Sequence, residues 1–364
     1  MLVQDIAAAI EQLAPLHYQE SYDNSGLCIG SPDTEVKGIL LCIDITEEVL
    51  IEAKALGCNM VISHHPLIFS GIKKITGKNF TERCILYAIK NELVLYSSHT
   101  NLDAILQGVN QIICNKLALI NCKILRPIKG ELSKIVTFVP EAQAEQVRQA
   151  IFNAGGGCIG NYDSCSYNVA GQGTFKANEF ASPFVGTKGN LHTEAETRIE
   201  VIVEKRLQNK VVQEIIKNHP YEEVAYDIYP LENSLSNVGA GMIGELANPV
   251  DELEFLQKIK NTFQAKGVRH TTLLNKKIKR VAICGGSGSS LLSDAIQHKA
   301  DIYISADFKY HQFFDAENKI LIADIGHFES EQYTKEIIYN LLVKNFPKFA
   351  VHFSKVNTNP INYL

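Results

Sequence analysis

The stretch GILLCIDITEEVLIEAKALGCNMVISHHP, residues 38–66, decides the fold. GILLCIDI is an almost unbroken apolar run, the pattern of a strand covered on both faces. TEEVLIEAKALG then reads as a helix, opened by a threonine cap and closed by Gly57. NMVIS is a second strand, and Pro66 ends it because proline has no N–H and fixes its own φ. Working outward, a helix around 80–91, the strand LVLYSS and a helix from about 104 to 118 continue the alternation. Alternating strands and helices with apolar strands signal a parallel or mixed sheet between helical layers.

The same grammar returns near the C-terminus. RVAICGG is a strand, SSLLSDAIQHKA a helix, and DIYISAD and ILIADIG are strands. ESEQYTKEIIYNLLVKNF follows as one long helix, with AVHFSK as a final strand. Between the halves the order is KIVTFVP strand, EAQAEQVRQAIFNAG helix, CSYNVAGQGTF and TRIEVIVEK strands, NKVVQEIIKNH helix and EVAYDIYPL strand. This β-α-β-β-α-β order is the ferredoxin-like pattern, and its ends lie in polar, turn-rich segments that tolerate insertion. The expected architecture is α/β. Two halves, 1–128 and 234–364, form one core with mostly parallel or mixed sheets, and a ferredoxin-like α+β domain is inserted over 129–233.

Bulk properties narrow the function. The 364 residues suffice for two or three domains, and 46% apolar with 21% charged residues is ordinary for a soluble globular chain. The net charge is −5, and the one basic cluster, Lys276 to Arg280, reads as a solvated strand edge, so no nucleic-acid partner is expected. MLVQDIAAAIEQLAPL is an amphipathic helix ended at Pro15, not a signal peptide. No uncharged apolar run approaches about 18 residues, so no membrane span is expected. Nine scattered cysteines without C-x-x-C read as small buried hydrophobes in a reducing cytoplasm.

Three strand ends carry chemistry. His64 and His65 follow a strand directly, where ligands collect in open α/β sheets. Their side chains diverge, which suits two separate metal ions, although a His-His pair in a loop is also compatible with a structural role. SSHTNLD places His99 and Asp103 after the next strand. Asp103 reads either as a ligand or as a first-turn carboxylate favoured by the helix dipole, with Thr100 or Asn101 as the cap. In DIGHFESEQ, His327 and Glu331 stand at i,i+4 on one face, the spacing of helical metal sites and equally of a solvated helix face. Together these loops offer three imidazoles and two carboxylates. Five donors exceed one tetrahedral zinc and suit two ions bridged by a carboxylate and a water.

The stretches SYDNSGLCIG, ISHHPLIF, SSHTNLD, GGSGSSLL, SADFKYHQ and DIGHFESE resemble the dinuclear metal-centre family of GTP cyclohydrolase 1 type 2 homologues, across roughly 1–125 and 235–364. The resemblance implies two divalent ions per subunit held by His64, His65, Asp103, His327 and Glu331, every position of which is retained. Zinc is the first expectation, and iron, manganese or nickel suit the same donors. It further implies a homohexameric ring with its sites facing an internal cavity, and an insertion that is similar to a PII/CutA-like module through NHPYEEVAYDIYPL. The implied substrate is a small molecule, GTP: water adds to C8 of the guanine, the imidazole ring opens and formate leaves.

His99 and His311 fall in motif positions near the implied site, as proton shuttles or as packing histidines, with Asp307 expected to orient His311. Asp23 to Gly26 read locally as a turn, which only the resemblance brings toward the cavity. CGGSGSSLL, 284–292, is either a phosphate-holding turn or a plain strand-to-helix turn, and it lacks the lysine of a nucleotide P-loop. Gly155 to Gly157, Cys158 and Cys165 are assigned to turns and core. The competing function is a non-enzymatic metal-loaded ring that buffers metal or senses a ligand through the insertion.

Overall fold

The computed structural model describes residues 1–364. The chain forms two compact units, Met1–Arg126 with Asn237–Leu364, and Pro127–Ser236.

In the first unit, residues 38–66 become the strand Ile39–Cys42, the helix Glu47–Ala55 and the strand Met60–Ser63. Thr46 Oγ1 accepts from the Val49 N–H at 3.2 Å, and Gly57 leaves the helix at φ +73°. The two strands pair in parallel, Leu40 beside Val61, and Val94–Ser97 extends the sheet in parallel beyond Met60–Ser63. Gly26–Ile29 closes that edge antiparallel. Helices Glu47–Ala55 and Phe80–Lys90 contribute Val49, Leu50, Cys84 and Ile85 to a core with Leu40, Val61 and Leu95. Each aliphatic side chain so buried contributes roughly 1.5–3 kcal/mol. The helix Thr334–Asn345 packs against Ile39–Cys42 as well, and that fully buried strand carries only apolar residues.

A six-stranded sheet completes the unit, in the order Arg269–His270, Leu321–Asp324, Ile302–Ala306, Lys277–Ser287, Ser234–Asp251, Ile120–Lys129. Its three central strands from Leu321–Asp324 to Lys277–Ser287 are parallel, while Arg269–His270 and Ser234–Asp251 pair antiparallel. Mixed α/β architecture is therefore what the chain adopts.

One local expectation needs correction. The single long helix is two, His327–Glu331 and Thr334–Asn345. Gln332 and Tyr333 are tied sideways instead, donating to the carbonyls of Phe263 at 2.8 Å and Thr262 at 2.9 Å. The expected final strand forms as Val351–Phe353 and pairs in parallel with Ile39–Cys42 of the N-terminal half.

In the second unit the elements run β-α-β-β-α-β, with the antiparallel sheet ordered Tyr167–Lys176, Leu191–Glu204, Leu132–Pro140, Tyr226–Leu231. Ile135, Val139, Ile199 and Val201 meet Val147, Ile151, Val211 and Ile215 of the helices Ala144–Asn153 and Lys205–Asn218 in one core. All nine cysteines are free, and Cys158 is exposed rather than in the core. No helix is long and apolar enough to cross a membrane.

Candidate metal centre

The carboxyl ends of the parallel strands deliver the chemistry, as open α/β sheets do. Met60–Ser63 runs into His64 and His65, Val94–Ser97 into His99, and Ile39–Cys42 toward Asp44. From the other sheet, Ile302–Ala306 ends at Asp307, and Leu321–Asp324 leads through Gly326 into the helix that carries His327 and Glu331.

Each of these imidazoles is oriented by an acceptor at Nδ1. His64 bonds the Ser98 carbonyl at 2.9 Å, His65 the Asp44 carboxylate at 2.7 Å, and His327 the Asp307 carboxylate at 2.6 Å. Carbonyls and ionised carboxylates only accept, so the hydrogen sits on Nδ1 and Nε2 of each neutral ring presents a lone pair. Those three Nε2 atoms surround Glu331 Oε2, at 3.7 Å from His64, 3.0 Å from His65 and 3.1 Å from His327. Asp103 Oδ1 lies 3.7 Å from His64 Nε2. His64 Nε2, Asp103 Oδ1 and Glu331 Oε2 are all buried with no hydrogen-bond partner. Burying such atoms unpaired is costly, and three of them converging is what a cation would satisfy.

The donors fall into overlapping groups, each with its ligand atoms within 4.8 Å: His65, His327 and Glu331; His64, Asp103 and Glu331; and His64, His65 and His99. Glu331 is common to the first two. Electrostatics agree with a site short of positive charge. Burial disfavours a protonated His65, but the neighbouring Asp44 and Glu331 carboxylates outweigh that and push it up to about 10. His327 is likewise pushed up to about 9, by Glu331 and Asp307 against burial. Burial raises Asp103 to about 6, while the imidazoles around Glu331 overcome its burial and hold it well below the usual carboxylate range.

The structure thus brings His64, His65, Asp103, His327 and Glu331 into one cluster and adds His99. His99 Nδ1 bonds Asp23 Oδ1 at 2.7 Å, and its ring lies 5.3 Å from both His64 and His65. Asp23 also accepts the Thr100 N–H and the Thr100 and Ser25 hydroxyls, so Thr100 does not cap a helix. Asp23 and Ser25 therefore belong to the site. His311 does not. It is exposed on the turn Tyr310–Ala316, against Tyr310 and Phe314, and Asp307 orients His327 in its place.

Sequence reasoning passed over Asp44 and Gly286. Asp44 ends a parallel strand as His64 does, and that position was its signal. Gly286 has φ +62°, and a Cβ there would stand 2.2 Å from Glu331 Oε1 and 3.3 Å from His327 Nε2. Only glycine serves at that point. Its N–H donates to Ser330 Oγ and that of Gly285 to Asn110 Oδ1, each at 2.9 Å, so the irregular end of the strand Lys277–Ser287 is closed onto the ligands.

The comparisons with known proteins cover the whole of this arrangement. The GTP cyclohydrolase 1 type 2 homolog of Halalkalibacterium halodurans is 37% identical over 366 residues, spanning 99% of this chain and 98% of that protein. The protein of the same name from Bacillus subtilis is 35% identical, with 99% and 98% covered. Among solved structures, a Bacillus cereus protein related to NIF3 superposes with TM-score 0.87 at 35% identity, covering 100% of this chain and 99% of that one. The family described as Duf34/NIF3 (NGG1p interacting factor 3) matches residues 1–360, a span that includes both sheets and every donor of the cluster, and the chain belongs to it.

Proposed function

We propose that the chain is a cytoplasmic, dinuclear-metal-dependent hydrolase of the GTP cyclohydrolase kind, assembled as a homohexamer. The observation that carries the reading is the convergence of His64 Nε2, Asp103 Oδ1 and Glu331 Oε2, buried and unpartnered. One ion is assigned to His64, Asp103 and Glu331 and the other to His65, His327 and Glu331, with Glu331 as the bridge. Imidazole and carboxylate donors suit zinc first, then iron, manganese or nickel. Bound there, a pair of divalent ions lowers the pKa of a shared water and polarises the electrophile beside it.

The protein's own part is orientation and proton transfer. Ser98, Asp44 and Asp307 lock the three imidazoles, as acceptors behind metal-binding histidines do. His99, with Nδ1 committed to Asp23, has Nε2 free to take a proton from water and return it to a leaving nitrogen. GTP as substrate rests on the relatives' names; with it, one water would add to guanine C8 and open the imidazole ring, and a second would hydrolyse the resulting formamide to release formate. We read residues 127–236 as a ferredoxin-like, PII/CutA-like unit, which their element order and sheet order support. A cavity within that unit favours a second reading, a metal-holding regulator that senses a ligand.

The test is formate release from GTP by the zinc- or manganese-loaded chain, alongside a panel of other nucleotides and phosphoesters. His99→Ala is expected to keep its metal and lose about 10²–10⁴-fold in turnover. His311→Ala is expected to change neither. Full metal content with no turnover across the panel would favour the regulator.

A further inference from the structure

The second unit holds a cavity of about 610 Å³ that the metal centre does not use. Its floor is the strand Tyr167–Lys176, where Gly171 and Gly173 leave the sheet surface bare. Glycines inside a strand mark a close approach of some other group. Here the Glu196 carboxylate lies across the strand, and a Cβ on Gly173 would stand 2.2 Å from its Oε2. Glu196 is 8% exposed, with Oε1 accepting the Tyr221 hydroxyl at 2.9 Å, and it faces the cavity.

The walls are aromatic. Tyr221 meets Phe175 and Phe184 with ring centroids 6.0 and 6.4 Å apart. The charge is net negative: Glu196, Glu222 and Glu223 line the space with one cation, Arg198, whose Nη2 pairs with Glu200 at 2.8 Å and whose Nε is buried without a partner. The carboxylates do not converge as a metal site would require, since every His, Cys, Asp and Glu grouping able to hold an ion lies in the first unit. A buried carboxylate beside aromatic faces is the chemistry that holds an organic cation, through charge-assisted hydrogen bonds and cation–π attraction.

We propose that this cavity binds a planar organic cation, with Glu196 as its counter-charge and Phe175, Phe184 and Tyr221 as its walls. The site is independent of the metal centre and of the reaction assigned to it.

Three isosteric probes test this on the full chain by calorimetry: benzamidine, benzamide and benzoate. Benzamidine is expected to bind at least about tenfold more tightly than benzamide, the ratio that a hydrogen bond to a charged group supplies, with benzoate weakest. Glu196→Gln keeps the shape and can still accept from Tyr221, and it is expected to remove that preference. Gly173→Ala, whose methyl displaces the carboxylate, is expected to weaken benzamidine as well. Equal affinities for the three probes, absence of benzamidine binding, or unchanged affinity in Glu196→Gln would each overturn the proposal.

Discussion

At the scale of the residue, the cluster is defined by what stands behind each ligand. Asp44 holds His65 by Nδ1 and is itself held by the Thr358 hydroxyl at 2.6 Å. Replacing Asp44 with Asn leaves a neutral partner and frees the ring to turn, so metal affinity should fall about 10–100-fold. Competition with a chromophoric chelator measures this, and an affinity equal to wild type would remove Asp44 from the site. Protons and metal compete for the same Nε2 atoms. Because the neighbouring carboxylates hold metal-free His65 and His327 above the usual imidazole range, loading must displace protons from them. Metal uptake in weakly buffered solution should therefore acidify it, and apparent affinity should climb between about pH 6 and 9. Loading without proton release would contradict this electrostatic description.

At the scale of the element, the decisive contact is the strand Val351–Phe353, which brings a distant segment beside Ile39–Cys42. The tail beyond it is tied back by Thr358 to Asp44, by Ser354 to Glu52 and by Asn359 to Glu329. Truncation after Ala350 should lower the unfolding midpoint by several degrees, at about 2–4 °C per kcal/mol, and weaken metal binding with it. Metal affinity that survives the truncation would mean that Thr358 does not support Asp44. This pairing was not legible in the sequence, because a short apolar run declares itself a strand but not its neighbour. The strands ending at His64 and His99 were legible, since apolar runs stop where the imidazoles begin. The break at Gln332 and Tyr333 was hidden for a different reason: local sequence favours one helix, and hydrogen bonds to residues 262 and 263 override it. His311 shares the stretch SADFKYHQ with Asp307, which holds His327, yet its own side chain is exposed, and only the folded turn reveals that.

At the scale of the whole molecule, every donor of the cluster lies in Met1–Arg126 and Asn237–Leu364. The strands that lead out of and back into this unit, Ile120–Lys129 and Ser234–Asp251, are neighbours in one sheet. Neighbouring strands stand about 4.8 Å apart, so a short glycine-serine linker can join Arg126 to Asn237. The excised chain should be soluble and should load metal as the full chain does. A soluble, metal-free product would show that residues 127–236 are needed to build the site.

The central claim is that Glu331 is shared by two ions. Elemental analysis of the zinc-loaded, desalted chain beside its Glu331→Gln variant tests it most directly. Gln fills the same space without the anionic oxygen on which His64, His65 and His327 converge. The prediction is about two zinc ions per wild-type chain and near-complete loss of both in the variant, with unchanged circular dichroism. A single ion in the wild type, or one ion fully retained in Glu331→Gln, would contradict it.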